Sequence, residues 1–362
     1  MTILGFLTFT LQICVARADV DLDEISLPPG FSIEVFAEVK NARSLALGDN
    51  GVVYVSTRSA GSVYAVVPTA GENRVVEIDK KLKSPNGIAY HDGDLYVAEI
   101  SRVLLYRNIG ATYARSPQPE VLDISLPSEG HHGWRYIGFG PDNKLYIAIG
   151  APCNICDREG FAKIVRMNSD GSEREIVARG VRNSVGFTWC PGTGELWFTD
   201  NGRDMMGDDL PADELNRVTE VGQHFGFPYC HAGSVPDPKF GDGRNCADYR
   251  APAQKLGAHV AALGLKFYTG EMFPAAYRGQ LFIAEHGSWN SSKKVGYRVS
   301  LVQLVNGNAV SYTPFAEGWV KGQETRGRPV DLLVYDDGSL LVSDDYSGKV
   351  YRVRYDEPGS DH

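Results

Sequence analysis

A strand pattern repeated six times constrains the fold of this chain more than any other feature. Its clearest copy runs from Gly133 to Asn168, GWRYIGFGPDNKLYIAIGAPCNICDREGFAKIVRMN. The run predicts a strand over residues 135–139, a Gly-Pro-Asp-Asn turn, a second strand over 144–149, a long loop, and a third strand over 162–167. Proline sets φ for a turn and Asp and Asn bond their own backbone, so GPDN between two apolar runs reads as strand, turn, strand. Further copies begin at Ala42, Pro85, Ser184, Ala262 and Pro329. The first four starts lie 43, 48 and 51 residues apart, and the last two intervals stretch to 78 and 67. Repeats of about 40 to 50 residues, each with several short strands, are the sequence form of a radial array of blades. A large sandwich or barrel shares the hairpin signals. Six similarly built units favour an all-β, six-bladed β-propeller of four-stranded antiparallel blades. Ring closure then falls to Phe31–Ala37, FSIEVFA, as a strand added to the last blade, and the long intervals become loop insertions on one face.

Lys plus Arg total 36 against 45 Asp plus Glu, a net charge of -9. With no long basic run, nucleic acid and anionic membrane surfaces are poor partners. Residues 1–18, MTILGFLTFTLQICVARA, carry an apolar run from Ile3 to Val15 followed by Ala16-Arg17-Ala18. That is the pattern of a secretory signal with an A-x-A cleavage site. The reading is a periplasmic or secreted protein with no stable membrane span once mature, whose residues 19–362 form one propeller domain. Removing Arg17 with the signal takes the net charge from -9 to -10. Export permits disulfides, and Cys153 with Cys156 and Cys230 with Cys246 are the plausible short pairs. A single CxxC beside His131 and His132 is a weak zinc signal. Asp157 follows it, so the haem-attachment pattern CxxCH is absent.

Chemistry-bearing residues gather at the edges of the repeats. His131 and His132 stand just before the first strand of the third copy, where a loop can reach the mouth of a central shaft and a neutral imidazole can act as a base. Arg182 and Asn183 occupy the equivalent place before the fourth copy, offering a donor fork and an amide. Arg326 and Arg328 precede the sixth copy and, being two apart, point the same way if the segment is extended. With Arg182 they form a positive pocket suited to a ligand bearing several carboxylates. The acidic stretch from Thr199 to Asn216 has oxygen donors for calcium but no EF-hand spacing. Tyr229, Cys230, His231 and Trp289 are candidates for a pocket wall, while the first two copies read as architecture.

Taken in order, HHGWRYIGFGPD, GAPCNIC, GVRNSVGFTW, FTDNGRDMMGDDLPADELN, LFIAEHGSWN and TRGRPVDLLV resemble the soluble quinoprotein sugar dehydrogenases, and more closely the sorbosone dehydrogenase-like group. The resemblance runs from about Leu27 to Tyr355 and implies a six-bladed propeller using pyrroloquinoline quinone (PQQ) and calcium. It implies His132 as the base, with His131 its neighbour, and Arg182 beside it in the catalytic set. It further implies Asn183, Arg326 and Arg328 as cofactor contacts, and the carbonyl oxygens of Gly202 and Arg203 as calcium ligands. The family's cofactor-binding lysine falls in the segment of Lys293 and Lys294, with Lys293 assigned and His286 closer by strand position. Val185 stands where the glucose-oxidising branch has glutamine, so the resemblance does not imply glucose specificity. The activity implied is oxidation of an aldose or sugar aldehyde to lactone or acid, with electrons leaving to a separate acceptor. A calcium-dependent lactone or ester hydrolase and a non-catalytic binding propeller are the competing readings on the same scaffold.

Overall fold

The structure, a computed structural model, describes residues 20–357; the segment read as a signal, 1–18, lies outside them. Six antiparallel sheets are arranged in chain order as the blades of a propeller. Blade 1 comprises Ala42–Leu47, Val53–Thr57, Val63–Val67 and Arg74–Asp79, and blade 2 comprises Gly87–His91, Asp94–Ala98, Val103–Tyr106 and Glu120–Val121. Blade 3 contains Ile137–Phe139, Leu145–Ile149, Lys163–Met167 and Glu175–Arg179; blade 4 contains Phe187–Trp189, Leu196–Asp200, Ala212–Arg217 and Gln254–Ala258. Blade 5 is Ala262–Phe267, Leu281–Glu285, Arg298–Val305 and Asn308–Glu317. Blade 6 takes Pro329–Val334, Leu340–Asp344 and Lys349–Tyr355 from the end of the chain and Phe31–Glu38 from its beginning. The closing strand pairs antiparallel from Phe31 opposite Tyr355 to Glu38 opposite Lys349.

Strand alternation explains why the blades stack. In Val53–Thr57, Val53 and Val55 pack toward blade 6 while Tyr54 packs toward blade 2, because successive side chains leave opposite faces. Each pair of adjacent blades shares one apolar cluster, so every sheet is covered on both faces. Around the shaft, polar side chains of the inner strands bond the next blade. Ser56 Oγ donates to Asn86 O at 2.5 Å, Asn86 Nδ2 to Arg135 O at 2.9 Å, and Ser343 Oγ to Arg43 O at 2.5 Å. Asp331 accepts from Leu45 N–H at 3.0 Å, and a Cβ on Gly264 would stand 2.2 Å from its Oδ1, so the inner strand of blade 5 needs glycine there.

The long interval before the fifth copy is not the irregular insertion on one face that its composition suggests. In blade 4, Asp200 lies opposite Glu214 and Trp197 opposite Arg217, so the chain leaves Arg217 at the end remote from Asp200. It then returns along blade 3, where Gln223–His224 adds a parallel fifth strand to Glu175–Arg179. A small hairpin, Cys230–His231 with Val235–Pro236, follows, tied down by Cys230–Cys246, before the chain completes blade 4. Gly and Pro here shape turns in an ordered wall.

Candidate active site

Loops that enter first strands and loops that leave second strands meet over the shaft and enclose a cavity of about 370 Å³. His132 lines it, 7% exposed, with a backbone φ of +48° that ordinarily favours glycine. Gly150 makes the pose possible: a Cβ there would stand 2.7 Å from His132 Cβ and 2.9 Å from its carbonyl oxygen. His132 Nδ1 lies 2.9 Å from Ala151 O. A carbonyl oxygen only accepts, so Nδ1 carries the proton and Nε2 keeps its lone pair. Burial first, then the Arg182 and His131 charges, pushes the imidazole pKa down to about 2, which keeps it neutral. His131 also lines the cavity and is more exposed.

Asp200 positions the Arg-Asn pair by accepting from Arg182 N–H at 2.7 Å and Asn183 N–H at 2.6 Å. The Arg182 side chain is held by Asn154 O at 2.9 Å, Asn154 Oδ1 at 2.8 Å, Asn201 O at 3.1 Å and Asp204 Oδ2 at 2.9 Å. Asn154 sits inside the Cys153–Cys156 disulfide, so this CxxC braces an arginine at the cavity and does not serve a metal. The Asn183 amide lines the cavity with no hydrogen-bonded partner among the described residues. Gly202 also lines it, its N–H bonded to Asp213 Oδ1 at 2.7 Å. The carbonyl oxygens of Gly202 and Arg203 accept no hydrogen bond from the described residues. The Arg203 side chain turns away to Asp237, which also takes His231 Nε2 at 2.9 Å.

Three expectations need correction. Arg328 reaches the cavity and donates through Nε to His286 O at 2.9 Å, whereas Arg326 is ion-paired with Glu24 and does not line it. The two do not point together because Arg326 and Gly327 both donate N–H to Trp319 O, at 2.9 and 3.0 Å, which bends the chain between them. Lys293 is exposed and outside the lining, and Lys294 is bonded to Thr325 Oγ1 at 2.6 Å. His286 does line the cavity, its Nε2 2.8 Å from Asp345 Oδ1. Finally, blade 1 is not mere architecture, since it supplies Arg43 and Arg58. Arg43 donates to Asp345 Oδ2 at 2.9 Å and to Asn86 Oδ1 at 2.8 Å. Arg58 directly follows the second strand of its blade, as His286 does in blade 5, whereas Arg43 lies within a first strand, at the place that Val185 holds in its own copy. Trp289 lines the mouth, 69% exposed, while Tyr229, Cys230 and His231 lie outside the lining.

The cavity therefore has an apolar floor of Val185 and Leu263, an arginine-rich wall, imidazoles that include the neutral His132, and at Gly202 a carbonyl that meets no donor among the described residues. Among the described residues, no group of three or more His, Cys, Asp or Glu side chains could hold a metal ion, and no helix is long and apolar enough to cross a membrane. A family model described as TrAA12-like matches residues 25–356. A protein of Borreliella burgdorferi, described only as uncharacterized, is 34% identical over 366 residues, covering 96% of each chain. A PQQ-dependent pyranose dehydrogenase of Coprinopsis cinerea is 23% identical over 346 residues; 89% of this chain matches 39% of that protein. A calcium structure of a Trichoderma reesei carbohydrate-active enzyme of family AA12 superposes with a TM-score of 0.78 at 18% identity, covering 94% of this chain and 100% of that one.

Proposed function

Since the chain belongs to the TrAA12-like family, we propose that it is a PQQ- and calcium-dependent oxidoreductase acting on an aldose or sugar aldehyde, of sorbosone type, to give the lactone or acid. The observation that carries this reading is a neutral His132 with its Nε2 lone pair free, placed in a cavity walled by arginines. The residues present suit a flat, polycarboxylate cofactor. Among the described residues, Arg43 and Arg328 keep unspent N–H donors and the Asn183 amide is unpartnered, while Val185 and Leu263 offer an apolar face. Calcium would sit on the carbonyl oxygens of Gly202 and Arg203, hard donors of the kind it takes. When bound, PQQ supplies the two-electron acceptor for the hydride leaving the substrate carbon.

The chain's own residues do the rest. His132 Nε2 takes the proton from the hemiacetal or hydrate hydroxyl as the hydride leaves, and Ala151 O stabilises the imidazolium through Nδ1–H. The Arg182 charge, fixed by Asn154 and Asp204, favours negative charge developing on the ligand, and Asn183 orients it. Electrons pass on to a separate acceptor, in a periplasmic or secreted setting. A metal hydrolase would need converging carboxylates, which the described residues do not assemble.

Titration of the mature, calcium-supplied chain with PQQ, followed by absorbance before and after aldoses and sugar aldehydes are added, tests this directly. Tight binding, its loss on calcium chelation, and reduction on adding sugar are expected. A folded chain that neither binds PQQ nor reduces an artificial acceptor would refute the assignment.

A further inference from the structure

Four arginines line the cavity, and three of them spend donors on the protein: Arg43 on Asn86 and Asp345, Arg182 on Asn154, Asn201 and Asp204, and Arg328 on the His286 and Gly287 carbonyls. Arg58 differs. Among the described residues its guanidinium makes no hydrogen bond and no ion pair; only its backbone N–H is engaged, with Asn41 Oδ1 at 3.0 Å. The fork rests on an aromatic face instead, with Cζ 4.8 Å from the Trp134 ring centroid. Trp134 in turn meets the His132 ring edge-on at 6.0 Å. All five donors are thus held in place on the side of the cavity where the base stands.

The surroundings raise the cost of leaving that fork empty. Burial, and then the like charges of Arg43 and Arg328, weaken the hold of Arg58 on its proton, while Asp345 partly compensates. A half-buried guanidinium among other cations, with no protein acceptor among the described residues, gains from an anionic partner. Stacking on an indole leaves its N–H edge free to grip a planar anion with two parallel bonds.

We propose that Arg58 binds a carboxylate of the ligand bidentately, on the His132 side of the cavity. The inference rests on the function proposed above and deepens it. The carboxylate is one of the cofactor's own or that of an acidic sugar, and two probes separate these sources. The full chain, Arg58→Gln and Arg58→Lys are titrated with PQQ in calcium by absorbance and tryptophan fluorescence, then assayed with glucose and glucuronate. If the cofactor supplies the group, Arg58→Gln weakens PQQ binding by about tenfold or more. If the substrate supplies it, PQQ binding is kept and KM for glucuronate rises by about tenfold or more while that for glucose does not. Arg58→Lys keeps the stem and charge on Trp134 but not the fork, so it restores only part of the loss and guards against a folding defect. PQQ affinity and sugar preference both unchanged in Arg58→Gln would overturn the inference and leave the proposed function standing. A wild-type chain that binds neither PQQ nor glucuronate overturns both.

Discussion

At His132, conformation and protonation are set by neighbours far away in sequence. Gly150 leaves room for a left-handed backbone, Ala151 O selects the tautomer, and burial keeps the ring neutral. Because the pKa is pushed down, the ring should show no titration near its ordinary 6.5. Nitrogen-15 spectra of the imidazole should report the Nδ1–H tautomer unchanged from pH 8 to 5, and a protonation step inside that window would count against the assignment. His132→Asn should lower kcat by about 10²- to 10⁴-fold while PQQ affinity and melting temperature hold; an equal loss of cofactor binding would point to a structural role instead. That His132, Arg182, Asn183 and Arg328 face one cavity was legible because each stands at the same edge of a repeated unit. Arg326 and Lys293 were not, since side-chain direction in a loop depends on bends that residue spacing does not encode. Here two N–H bonds to Trp319 O turn Arg326 toward Glu24.

Among the elements, the two disulfides have different work. Cys230–Cys246 closes a loop of sixteen residues' separation in the wall beside blade 3, and it stands next to the His231–Asp237–Arg203 contacts. Cys153–Cys156 spans three positions and holds Asn154 against Arg182. Loop-closure entropy grows with loop length, so replacing Cys230 and Cys246 by serine should cost about 3 kcal/mol in denaturant unfolding. Replacing Cys153 and Cys156 should cost clearly less stability but weaken PQQ binding, because Arg182 loses its brace. The reverse ranking in paired unfolding and binding curves would contradict this division. The pairings themselves were visible as short cysteine spacings. The path of the insertion was not, because parallel pairing of Gln223–His224 with Glu175–Arg179 joins segments that no local pattern links.

For the whole molecule, Phe31–Glu38 is the strand on which closure depends. It pairs with Lys349–Tyr355, and Phe31 packs edge-on against Phe273 at 4.7 Å and Phe315 at 5.1 Å, which joins blade 6 to blade 5. A chain that starts after Glu38 should leave a bare strand edge and uncover that cluster. It should unfold in a broadened, less cooperative transition with dye-accessible apolar surface; a sharp transition at the wild-type midpoint would show that closure is dispensable. Six repeats, their alternation and the closing strand were all determined by the sequence alone, because strand period and turn chemistry are local and each blade repeats them. The tertiary structure alone decided that side chains of blade 1 share the cavity with those of the later repeats. Arg43 and Arg58 join His132, Arg182 and Arg328 only once the ring closes, when residues from the first and last blades become neighbours. Contacts made by closure join the most distant parts of the chain, so no window of sequence contains them.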